Sequence, residues 1–168
     1  MEPQSNPADK INVELVVPFV GATHKVFETM MSTKVQRKEV RVKNNNVMLG
    51  DITGVVGLKG QIVGTVMLSM PVSAAAKSVG RLLGEEVSGG VESETLRDGV
   101  GEITNIIAGQ AKAALSTSKY KFEISTPAIV SGSHHEISAK KGCTCLEVIF
   151  ETAEKELFSV EIAFVEAV

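Results

Sequence analysis

The chain has 168 residues, enough for one domain with a sizeable core and too few for two ordinary domains. Hydrophobic residues make up 43% of it, aromatics only 4%, and Trp is absent, so the core is expected to be aliphatic, built from Val, Ile, Leu and Met. A formal net charge of −3 without a single-sign block argues against a nucleic-acid-binding face, and no stretch is long and apolar enough to cross a membrane as a helix.

Met1 to Lys10 is polar, with Pro3 and Pro7, and is expected to be a flexible N-terminus. It lacks the basic start and apolar run of a signal peptide. One domain is expected over residues 11–168. Ile11 to Met31 reads as its first helix, with Val13, Val16, Val20 and Phe27 on related faces and Pro18 marking a late start or a kink. Lys34 to Lys43 alternates polar and β-branched residues and suits an edge strand; Asn44 to Asn46 is a turn. Val47 to Met70 reads as a strand pair turning at Lys59-Gly60. Pro71 ends it, and Ser73 is placed to cap a short helix reaching Leu83. After a Gly-rich loop, Ser93 to Ser116 gives the clearest helical pattern, with Thr95 and Asp98 in a capping arrangement. Three strands are then expected: Lys121 to Val130, Cys143 to Thr152 and Leu157 to Ala167. The first and last strands of the chain, Lys34 to Lys43 and Leu157 onward, are the candidate sheet edges. The expected fold class is therefore α+β: a mostly antiparallel six-stranded sheet, two long helices on one face, and a short third helix.

The two halves also match. Glu14, Val17 and Gly21 share the spacing of Glu102, Asn105 and Gly109, and Phe27 and Leu115 fall at corresponding offsets. Pseudo-two-fold duplicated halves are expected, and the telling difference is Val17 where the second copy has Asn105.

Asp98, Glu102, Asn105, Gly109 and Lys112 follow steps of three and four, so at about 100° per residue they share one stripe of the long helix. Ile103, Ile107 and Ala114 lie opposite, toward the core. Solvation alone places polar residues opposite a helix core, so the stripe by itself indicates an exposed surface suited to docking. Gly109 would leave that surface low, at a cost of about 1 kcal/mol against Ala. The two cysteines, Cys143 and Cys145, read as small core hydrophobes and fit a reducing cytoplasm. His24, His134 and His135 show no metal-ligand spacing, and no serine sits in a nucleophile-elbow pattern.

The segment from Asp98 to Lys112, with two residues between Glu102 and Asn105 and the run Asn-Ile-Ile-Ala-Gly-Gln-Ala-Lys from Asn105 on, resembles the signature of the CheC/CheX/FliY chemotaxis phosphatases. The signature's later proline is matched by Pro127, with 21 residues between it and Asn105. Val17 to Met30 resembles the opening helix of CheX-type members, and the resemblance spans about residues 11–168. It implies a single active pair, Glu102 and Asn105, since Val17 replaces the first half's Asn. The implied substrate is the aspartyl phosphate of a CheY-like response-regulator receiver domain. The implied Mg²⁺ belongs to that receiver, with no cofactor in this chain. Asn105 would orient water, having both a donor and an acceptor, and Glu102 would pair with a receiver Lys. Asp98, Gly109, Lys112 and Pro127 would serve partner binding. A homodimer is implied as well. Two other readings share the docking stripe: a non-catalytic receiver-binding adaptor, and a structural subunit of a flagellar switch.

Overall fold

The computed structural model describes residues 13–167; the flexible segment expected over residues 1–10 lies outside them. In chain order the elements are α1 (Val13–Met30), β1 (Gln36–Val42), β2 (Ile52–Gly60), β3 (Ile62–Met70), α2 (Val72–Leu83), α3 (Glu94–Ala114), β4 (Phe122–Ile124), β5 (Ala128–Ser131), β6 (Thr144–Glu151) and β7 (Leu157–Glu166). All strand pairs are antiparallel, in the order β1-β6-β7-β3-β2-β4, with β5 also on β2.

That order carries a two-fold pattern. The β3–β7 pair is central. Outward on one side come β2 and then β4 with β5; outward on the other come β6 and then β1. Each half of the chain thus lends its outer strand to the other half's middle strand. The irregularities correspond too. The β1 register slips between Arg37 and Glu39. Ser125 to Pro127, which separates β4 from β5, stands at the same offset from that slip as Glu102 does from Glu14.

One face of the sheet carries the main core, which is mostly aliphatic as expected but also buries all six phenylalanines and Tyr120. Strand positions alternate, so Val66, Leu68 and Met70 of β3 and Phe158, Val160 and Ile162 of β7 point to that face. The three helices close it. α1 contributes Leu15, Phe19, Val26 and Phe27, and α3 contributes Leu96, Val100, Ile103 and Ile107. The few aromatics stack along the seam: Phe27, Phe158 and Phe150 lie in sequence at centroid separations of 5.1 and 5.3 Å. The other face buries a smaller cluster of Met48, Met67 and Ala163, against which Cys143 and Cys145 pack. Both cysteines are free and half-buried, and burial pushes the Cys145 thiol up to about 12, which keeps it protonated.

Several expectations change. The sheet has seven strands, because the one strand expected over Lys121 to Val130 is two. Pro127 has no amide hydrogen to give a ladder, and the Ser125 hydroxyl accepts from the Gly57 amide (2.8 Å) and donates to the Thr126 carbonyl (3.0 Å), folding the chain into an elbow. β7 is interior, paired on both sides, so the sheet edges are β1 and the β4–β5 strands. Strand β2 runs on through Lys59-Gly60 and the turn falls at Gln61. The α3 cap is Ser93, whose hydroxyl accepts from the Leu96 amide, and not Thr95 with Asp98. Helix α2 starts after Pro71 without a side-chain cap; Ser73 instead donates to Glu156 in the β6–β7 turn. Ala114 is exposed rather than core-facing. Helix α1 passes through Pro18, which leaves the Glu14 carbonyl without its usual helical donor.

Candidate functional site

Helix α3 is held close to its neighbours by missing side chains. A Cβ on Gly99 would lie 2.4 Å from the Val79 methyl of α2. A Cβ on Gly54 of β2 would lie 2.1 Å from Thr104 Oγ1, so that glycine seats the helix against the sheet. Thr104 itself donates to the Val100 carbonyl at 2.7 Å, which satisfies a buried hydroxyl within the helix. Gly99, Val100, Ile103, Thr104, Ile107 and Ala111 are all buried, so the helix retains one narrow outward stripe.

Asp98 and Glu102 on that stripe are exposed, and Asn105, Gly109 and Lys112 are half-buried. Glu102 and Asn105 stand one turn apart, and neither side chain has a hydrogen-bond or ion-pair partner among the described residues. An acceptor pair and a carboxamide held outward by a rigid helix, with nothing of their own fold to satisfy them, are available to a partner's polar groups. A Cβ at Gly109 would meet nothing within 4 Å, so the space over the helix there is open. Lys112 is not free: its ammonium reaches the Glu123 carboxylate of β4 at 2.5 Å. Pro127 is exposed on the β4–β5 elbow, and its ring lies 3.4 Å from where a Gly101 Cβ would be, beside Glu102. The structure therefore brings all six sequence-selected residues onto one surface made by α3 and the elbow.

Sequence reasoning missed Gly101 and Ser125, which place Pro127 over the helix. A signal existed: Gly99 and Gly101 each cost a helix about 1 kcal/mol against Ala, and two in one turn point to close approach by a neighbour.

The corresponding stripe of α1 is also exposed. Glu14 faces outward, Gly21 has open space above it, and Val17, at the position of Asn105, is 58% exposed. The histidines lie elsewhere. His24 meets Phe150 edge-on at 5.5 Å, and His135 is held by Thr53 Oγ1 (2.7 Å) and the Gly132 carbonyl (2.9 Å).

A family model described as chemotaxis phosphatase CheX matches residues 52–151. Among solved structures, the chain is similar to the chemotaxis protein CheX of Desulfovibrio desulfuricans, at 34% identity over 90% of this chain and 99% of that one, with a TM-score of 0.81. It is similar to CheX of Vibrio vulnificus at 31% identity over 90% and 99%, also with a TM-score of 0.81. It is similar, too, to a chain of the CheX–CheY–BeF3–Mg²⁺ complex of Borrelia burgdorferi, at 26% identity over 92% and 100%, with a TM-score of 0.76. No curated protein matches.

Proposed function

The chain belongs to the chemotaxis phosphatase CheX family, and from that membership we propose that it hydrolyses the aspartyl phosphate of a CheY-like receiver domain, acting in the cytoplasm as a homodimer. The observation that carries this reading is the pair Glu102 and Asn105, one turn apart on a rigid exposed helix and unpartnered within their own fold. That a family relative of the same fold is seen in complex with CheY supports the partner class.

The receiver, with its own Mg²⁺ and Lys, supplies most of the charge stabilisation of phosphoryl transfer. What remains is to hold a water in line with the phosphorus. The Asn105 carboxamide does this by accepting from the water through its oxygen while its NH₂ donates to the water oxygen or a phosphoryl oxygen. It need not act as a base, because a loose transition state requires little nucleophile activation. The water oxygen bonds to phosphorus and the bond to the Asp oxygen breaks. The products are the free carboxylate and inorganic phosphate, which keeps the water's remaining protons or releases them to solvent. Glu102 fixes the orientation by pairing with the receiver Lys. Asp98 and Pro127 flank the pair as rim contacts.

The test is loss of aspartyl phosphate from a purified receiver. Asn105→Ala should lower turnover on the order of 100-fold, as loss of water positioning does. Glu102→Ala should weaken binding by about tenfold through the lost ion pair. Wild-type rates in both variants would sink the assignment. Tight binding of the phosphorylated receiver with no acceleration by the wild type would favour the adaptor reading.

A further inference from the structure

We propose that the apolar groove at the C-terminal end of α3 is a second contact for the receiver, taking an apolar side chain flanked by acidic residues; this rests on the receiver reading above. The groove has a volume of about 660 Å³ and opens between α3, the β2–β3 turn and β4. Phe122 lines it and is itself backed by Phe19 of α1, their rings stacked at 6.1 Å. Gly109 and Ala113 form the α3 wall. Around them stand Lys59, Lys112 and Lys121 against a single acid, Glu123. Lys112 is committed to Glu123, so Lys59 and Lys121 are the cations without an ion pair there, among the described residues.

Two observations select the occupant. The first is continuity: Gly109 and Lys112 belong both to the groove and to the stripe that carries Glu102 and Asn105. At a rise of 1.5 Å per residue, the α3 wall of the groove lies from roughly 6 to roughly 12 Å along the helix from Asn105. A domain of about 100 residues has a radius of gyration of about 13 Å. A receiver seated with its phosphoryl group on Asn105 therefore extends over the groove. The second is charge. Lys59 and Lys121 stand uncommitted beside the apolar hollow, so they draw a partner whose apolar side chain is flanked by acidic residues and fix its register.

The groove also divides the work along one helix. Glu102 and Asn105 act at the reacting centre, whereas the groove adds affinity without touching it. Interactions made equally in ground and transition states change KM and leave kcat alone.

The test uses the full chain, a phosphorylated receiver for turnover, and the same receiver loaded with beryllofluoride and Mg²⁺ for binding. Ala113→Arg fills the hollow and keeps its basic sign. Lys59→Glu with Lys121→Glu keeps the hollow and reverses the sign. Each should raise KM, and Kd for the beryllofluoride-loaded receiver, by about tenfold, with kcat within about twofold. Asn105→Ala should show the opposite split, with kcat lost and Kd kept. Unchanged Kd in both groove variants, with an active wild type, overturns the groove contact and leaves the phosphatase reading standing. A wild type that neither binds nor dephosphorylates receivers sinks the phosphatase reading itself, and the groove contact with it.

Discussion

Glu147 and Glu161 face each other across β6 and β7, and both side chains are 2% exposed. Arg41 reaches Glu147 at 2.6 Å, and Lys43 bonds Glu161 and lies 3.8 Å from Glu147. Burial, reinforced by the neighbouring Glu147 carboxyl, pushes the Glu161 carboxyl up to about 7 despite Lys43. An unfolded Glu titrates near about 4.3. Between the two values the folded state holds a proton that the unfolded state has released, so stability falls as pH rises through this window and levels off above it. The slope is at most about 1.4 kcal/mol per pH unit. Glu161→Gln, which mimics the protonated form, should remove that slope. Urea unfolding of both proteins from acid to neutral pH measures it, and parallel profiles would refute the account. Glu154 and Glu156, held low first by hydrogen bonds from Arg81 and Lys77, act with the opposite sign at more acidic pH. The comparison of variant with wild type cancels them.

At the scale of elements, the glycines of α3 and its neighbours split into two kinds. Gly109 faces open space, whereas Gly54 lies under Thr104. Gly109→Ala should therefore stabilise the fold by up to about 1 kcal/mol through helix propensity. Gly54→Ala should destabilise it by about 1–3 kcal/mol, since the helix must lift from the sheet. Thermal unfolding of the two variants checks both signs, and a stable Gly54→Ala would show that the close α3–β2 contact is dispensable. The β4–β5 elbow makes the same point. Its flanks, Phe122 to Ile124 and Ala128 to Ser131, have ordinary strand character, and only the Ser125 hydroxyl on Gly57 and the missing amide of Pro127 divide them.

For the whole molecule, the two free sheet edges differ. The β4–β5 edge is interrupted by the elbow and adjoins the Glu102–Asn105 surface, so a second copy paired there would crowd the docking face. The β1 edge remains one strand despite its register slip between Arg37 and Glu39, and it lies on the far side of the sheet order. A dimer through β1 leaves both α3 surfaces open. It also brings two copies of Arg37 and Glu39 together, while Lys38 and Arg41 are already paired with Glu151 and Glu147 of β6, so the contact has little net charge for salt to screen. Association should then depend little on ionic strength, read by sedimentation at low and high salt. A monomer under both conditions would remove the homodimer from the proposal, and a dimer weakened by salt would exclude the β1 edge.

The sequence alone determined the long helices, the two central hairpins and the shared stripe of Asp98, Glu102, Asn105, Gly109 and Lys112, because these depend on local periodicity: a 3.6-residue repeat or an alternation is written in consecutive residues. It also carried the pairing of Glu14, Val17 and Gly21 with Glu102, Asn105 and Gly109. Only the tertiary structure decided the rest. That β7 is central, that β1 crosses to β6, that Pro127 stands over Gly101, and that Lys112 is spent on Glu123 while Lys59 and Lys121 are not, each depends on residues distant in the chain. Strand order and side-chain partners are set by which apolar faces bury together, and no local pattern encodes that choice.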